Sequence, residues 1–191
     1  MILKGFREFI NESESSVTYQ DLKLLLKLGI SQDITDDVDK LIDQGLMSHD
    51  EILDWVTPIC RKYKIENWLI SGDGRVDVNG IVNLNGQVLT RLPLRFGIVT
   101  DSFWCIDNQL TSLDGSPREV GGSFGCSDNQ LTTLEGAPKV VGGSFYCRDN
   151  KLTSLNGAPN KVGGNFGCSK NQLTTLDGIG EVGGKVYSDL K

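Results

Sequence analysis

The sequence predicts an α+β protein in which a leucine-lined β-solenoid, with one parallel strand to each repeat of about 21 residues, follows an N-terminal α-helical cap. Three observations carry this expectation. One phrase recurs four times at nearly constant length, its apolar residues alternate with polar ones as in a half-buried strand, and the stretch before it carries helix-start signals instead.

Residues 1–65 read as the helical region. Thr18 precedes Y-Q-D-L-K-L-L-L-K-L-G, whose apolar residues fall at helical spacing and whose Gly29 can end the helix. Thr35 precedes D-D-V-D-K-L-I-D-Q-G, with acids in the first turn where they suit the helix dipole. Ser48 caps H-D-E-I-L-D-W-V-T-P-I-C-R-K-Y-K, expected to kink or break near Pro58. Exposed sheet edges invite unwanted pairing, so this region is expected to cap the N-terminal edge of the solenoid. Residues 66–80 then predict an entrance hairpin, with Asp73-Gly74 at its turn.

Residues 81–191 are the solenoid. Ser102 opens S-F-W-C-I-D-N-Q-L-T-S-L-D-G-S-P-R-E-V-G-G, and Ser123 and Ser144 restart the phrase after 21 residues each. Asn165 opens a fourth unit one residue shorter, a degenerate unit precedes them from Ile81, and K-V-Y-S begins a sixth strand. Because strand side chains alternate faces, Phe103 and Cys105 should point inward, while Ser102, Trp104 and Ile106 point outward. Stacking then makes ladders of Phe103, Phe124, Phe145 and Phe166, and of the leucines that follow. Each fully buried rung contributes roughly 1.5 to 3 kcal/mol. Asn108, Asn129, Asn150 and Asn171 follow the strand at a turn, where an amide can satisfy backbone groups that no ladder reaches. The Gly-Gly pairs before each strand are expected to use backbone angles closed to other residues. Gly-Ser/Ala-Pro marks the opposite corner, and the return path, lacking helical period, should be extended.

The unit F-x-C-x-x-N-x-L-T-x-L resembles the leucine-rich-repeat core L-x-L-x-x-N-x-L, with Phe and Cys in place of the first two leucines. Its period and its L-T-S-L phrase are similar to the short bacterial type. Repeats ending G-A-P-x-x-V-G-G, introduced by D-G-x-x-D-V-x-G, also resemble those encoded by large contractile-tailed bacteriophages. Residues 1–12, with Ile2, Leu3, Phe6, Phe9 and Ile10 in an amphipathic pattern, resemble head-targeting leaders of such phages. Ile10-Asn11-Glu12 is similar to the Leu/Ile-x-Glu site that a prohead protease cuts. The resemblance implies a non-enzymatic module that binds a host or phage protein, for instance by inhibiting a host defence enzyme. An alternative it also implies is a structural or assembly protein packaged in the phage head.

Composition narrows the function classes. The charge of −6 divides into about −4 over residues 1–65 and −2 over the remainder, so neither part offers the basic field of a nucleic-acid binder. No run approaches the roughly 18 to 20 apolar residues of a membrane span, and the N-terminus does not read as a secretory signal. A cytoplasmic location is therefore expected; the resemblance implies that the cytoplasm is that of a bacterial host, with the virion interior as the packaged alternative. Four of the five cysteines, Cys105, Cys126, Cys147 and Cys168, recur with the repeat. Ligands in a straight row cannot make a tetrahedral zinc site, and buried reduced thiols are expected. Asp73, Asp77 and Asn79 hint at calcium, but the loop spacing fails and Arg75 occupies a ligand position. The single histidine, His49, lies at a helix start, and no phosphate loop, zinc-protease helix or nucleophile elbow occurs. Neither catalytic residues nor a cofactor are expected.

Binding is expected on the outward strand positions, the concave face of a leucine-rich repeat. The middle column there is Trp104, Gly125, Tyr146 and Gly167, in which the glycines should leave a notch between aromatic rings. Aromatics and arginine dominate binding hot spots. The candidate contact residues are Trp104, Ile106, Tyr146 and Arg148, flanked by Asp107, Asp128 and Asp149, and the oligomeric state is left open.

Overall fold

The computed structural model describes residues 18–20, 23 and 35–190. The chain divides into two compact units, Met1–Thr57 and Pro58–Lys191. The leader and its Ile10-Asn11-Glu12 site lie outside the described residues, as does most of the helix expected after Thr18. Of that helix, Tyr19, Gln20 and Lys23 are helical.

Helix α1, Thr35–Asp43, buries Val38 and Leu41. It ends where Gly45 takes φ +66°, with Gly45 N donating to Ile42 O and Leu46 N to Leu41 O, a left-handed C-terminal cap. Helix α2, His49–Lys62, starts on a capping box. Ser48 N donates to Glu51 Oε2 at 3.0 Å, and Glu51 N donates back to Ser48 Oγ at 3.3 Å. The helix runs through Pro58 without the break its sequence suggested. Pro58 lies on the exposed side, where water can take up the carbonyl it leaves without a donor.

The second unit is a β-solenoid. Strands β1, Trp68–Ile70, and β2, Val76–Val78, pair antiparallel as the entrance hairpin, with Gly74 at φ +75° in the turn. Beyond it every pairing is parallel. One sheet contains β3 (Val82–Asn83), β5 (Phe103–Trp104), β7 (Phe124–Gly125), β9 (Phe145–Tyr146), β11 (Phe166–Gly167) and β13 (Val186–Tyr187), stacked in that order. The return path, expected to be extended, is regular enough to form a second sheet of parallel strands. It contains β4 (Phe96–Val99), β6 (Glu119–Val120), β8 (Val140–Val141), β10 (Lys161–Val162) and β12 (Glu181–Val182). The hairpin joins this sheet through β2, so β1 covers its first edge. Each turn therefore contributes two short strands, and the register, Phe103 against Phe124 against Phe145, preserves the repeat period.

Between the sheets lies a core of ladders. The rings of Phe103, Phe124, Phe145 and Phe166 stack with centroids 5.5, 5.4 and 5.1 Å apart, and Phe96 meets Phe103 edge-on at 5.0 Å. Leu110, Leu131 and Leu152, and Leu113, Leu134 and Leu155, are fully buried, as are Cys105, Cys126 and Cys147. The second sheet adds Val99, Val120, Val141 and Val162, a ladder whose last three members open the V-G-G phrase.

The asparagines lock successive turns together. Asn129 Nδ2 donates to Cys126 O and Ser127 O of its own turn and to Cys105 O of the turn before, at 2.9 to 3.1 Å. Its Oδ1 accepts from Leu110 N at 2.9 Å. Asn150 and Asn171 repeat this pattern one and two turns later. The Gly-Gly pairs act differently from the expectation. Gly121, Gly142, Gly163 and Gly183 do not adopt left-handed angles. A Cβ on Gly142 would instead stand 2.2 Å from Gly121 O, and one on Gly163 2.1 Å from Gly142 O. These glycines are required by close backbone approach along the stack. The left-handed glycines occur at the other corner, for instance Gly136 at φ +87°.

Both features predict measurable costs. Asn129→Ala should destabilise the protein by about 2 to 3 kcal/mol, because it strands buried backbone groups. Gly142→Ala should cost more than about 2 kcal/mol, since backbone must move. Denaturant midpoints unchanged from the wild type would contradict both assignments.

Candidate functional site

The outward face of the β3–β13 sheet carries the residues singled out from the sequence. Trp104 and Tyr146 occupy one column two turns apart, both half-buried, with Gly125 and Gly167 between and beyond them. The glycines form no notch. A Cβ on Gly125 would lie 2.5 Å from Trp104 Cε3 and 3.0 Å from Ile106 Cδ1, and one on Gly167 would lie 3.1 Å from Tyr146 Cδ1. Each ring leans over the glycine of the following turn and covers it, so both glycines are buried. An aromatic–glycine alternation thus produces a strip of rings lying along the sheet. Its third ring, Tyr187, pairs in register with Gly167 and is half exposed. Sequence reasoning missed it, although aligning K-V-Y-S under N-F-G-C places Tyr187 in this column.

The next column runs Ile106, Ser127, Arg148 and Ser169. Ser127 is 2% exposed and its hydroxyl has no hydrogen-bond partner, despite its outward position. Arg148 is exposed between two carboxylates, 3.9 Å from both Asp128 and Asp149, and Lys170 lies 3.3 Å from Asp149. Exposed pairs of this kind are worth about 0 to 1 kcal/mol, so they orient Arg148 more than they stabilise the fold. The structure thus groups Asp128, Arg148 and Asp149 into a charged row, beside the aromatic strip and following it around the turn.

The recurrence of aspartate has a backbone cause. Asp107, Asp128 and Asp149 have φ of +57°, +55° and +52°, and Lys170 fills the same corner at +55°. Aspartate and asparagine tolerate the left-handed region better than most side chains. Asp128→Gly should therefore leave stability nearly unchanged, whereas Asp128→Val should cost about 1 to 3 kcal/mol in thermal or denaturant unfolding. Equal effects of the two would exclude this explanation.

Other polar groups near the entrance are committed elsewhere. Ser71 Oγ donates to Asp73 Oδ1 at 2.7 Å, and Arg118 pairs with the same carboxylate. Burial raises the Asp73 carboxyl, but the hydrogen bonds from Ser71 and Arg118 outweigh it and hold the group below its ordinary value. Asp77 Oδ1 accepts from Ile98 N at 2.7 Å, and Asn79 Oδ1 accepts from Thr100 Oγ1 at 3.0 Å. Among the described residues no group of three or more acidic, histidine or cysteine side chains is arranged to hold a metal ion, and no helix is long and apolar enough to cross a membrane.

The five cysteines are free and buried. Burial pushes the Cys60 thiol up to about 12 and also raises those of Cys105, Cys126 and Cys147 well above the ordinary thiol value. Cys105 Sγ donates to Gly125 O at 3.3 Å, as a small packed group would. A nucleophile needs the opposite shift. None of the five should react with a thiol reagent at neutral pH until denaturant unfolds the protein. A thiol titrating rapidly in the native state would contradict this burial.

On the second sheet, Ile98 and Val140 lie in one outward column, separated by Glu119, and are 48% and 39% exposed. The sequence signal for them was the strand alternation in F-G-I-V and K-V-V. No protein-family model, curated protein or solved structure matches this chain.

Proposed function

We propose that this protein is a non-enzymatic binding solenoid that occludes a protein partner through the outer face of its β3–β13 sheet. The observation that carries the proposal is the strip of Trp104, Tyr146 and Tyr187 beside Arg148. Rings held against a sheet, as Trp104 and Tyr146 are over their glycines, lose little conformational freedom on contact, and tryptophan, tyrosine and arginine supply most hot-spot energy. Ile106 extends the apolar part of the strip, and Asp107, Asp128 and Asp149 form its polar margin. The repeat style supports an origin in a large contractile-tailed phage, with a host or phage protein in the bacterial cytoplasm as the target, for example a host defence enzyme.

The test is affinity capture of tagged full-length protein from an infected host, followed by mass spectrometry and binding of the purified captured protein. Trp104→Ala/Arg148→Ala should weaken that binding at least tenfold with unfolding unchanged. Capture of virion components alone, equal for both forms, would sink the proposal and favour a packaged structural protein. Cleavage after Glu12 by a prohead protease would add to that second reading.

A further inference from the structure

We propose that the C-terminal end of the solenoid is a self-association surface, on which β13 of a second copy pairs antiparallel about Tyr187. The turn that carries β13 differs from the others, and among the described strands β13 pairs with β11 alone. Asp107, Asp128 and Asp149 each donate their backbone N–H to a main-chain carbonyl of the following turn, at 3.0 to 3.2 Å. For Lys170, the equivalent residue, the side-chain carboxylate of Asp189 accepts instead. The phenylalanine and cysteine positions of the core are taken here by Val186 and Ser188, and no described strand pairs with the outer side of β13. Val186 and Tyr187 are 39% and 51% exposed, and Leu173 and Leu176 lose the full burial of their counterparts.

The hydrogen-bond pattern selects a register. Phe166 N donates to Lys185 O and Cys168 N to Tyr187 O, so these carbonyls face the preceding turn. Strand alternation then turns the peptide groups of Val186 and Ser188 outward. An antiparallel neighbour satisfies them when Val186 of one copy exchanges hydrogen bonds with Ser188 of the other, which places the two Tyr187 residues opposite each other on the axis. That same register sets Lys185 of each copy across from Asp189 of its partner, a charge pairing made twice by the two-fold symmetry. One strand edge is thereby complementary to itself in backbone, charge and side chain. The aromatic strip also becomes continuous across the axis, six rings long instead of three.

Sedimentation velocity of the full-length protein over a range of concentrations should show a reversible dimer. Lys185→Asp, which removes no hydrogen bond made within the chain, should weaken it at least tenfold by setting like charges opposite. Mixing Lys185→Asp with Asp189→Lys chains should restore a dimer that neither forms alone. Tyr187→Cys should form an intermolecular disulfide under mild oxidation, because directly opposed residues of a non-hydrogen-bonded antiparallel pair lie within disulfide reach. A monomer at every concentration overturns the proposal. So does a dimer that survives Lys185→Asp unchanged and leaves Tyr187→Cys uncrosslinked, since its interface would lie elsewhere.

Discussion

The structure depends on one distance, the separation of about 4.8 Å at which parallel strands share hydrogen bonds. Two short strands per turn hold that spacing on opposite sides of the core, and everything between them must repeat with it. The phenylalanine rings meet it by stacking almost parallel, at interplanar angles of 8° and 7° in the central pairs. The corners meet it with glycine, since the carbonyl of one turn stands where the next turn's Cβ would be. Where the path turns too sharply for a ladder, asparagine provides donors and an acceptor in a single side chain.

The repeat identity of the core and the variety of the outer face follow from this constraint. An inward position sees the same neighbours in every turn, so Phe, Cys and Leu recur. An outward position meets water on one side and its column neighbours on the other. The column Trp104, Gly125, Tyr146 and Gly167 satisfies a local steric rule: a ring that leans over the following turn leaves no room there for a side chain, so glycine follows each of the two rings. That rule fixes the spacing of aromatics on the face without fixing which aromatic is used.

Much of this was legible in the sequence because period and alternation map directly onto stacking and burial. The inward residues, the hairpin at Asp73-Gly74, the cap at Ser48 and the extended return path all follow from local signals. The role of Gly-Gly was misread because sequence shows that a side chain is excluded but not whether torsion or a neighbouring backbone excludes it. The supposed notch at Gly125 was misread for a related reason, since a ring's lean along the stack axis is invisible in a column of letters. The aspartate column illustrates the converse: the sequence offers it as a flank of the binding residues, while its backbone angle shows a corner that also favours that residue. Tyr187 escaped notice because the repeat it belongs to is incomplete.

The asparagine clamp has a direction. Asn129, Asn150 and Asn171 each bond to one carbonyl and one amide of the turn before their own. During synthesis, the partner for each new asparagine has already left the ribosome when the asparagine emerges. Assembly can proceed turn by turn behind the growing chain, with loop closures of only about one repeat and no need for a distant segment to arrive.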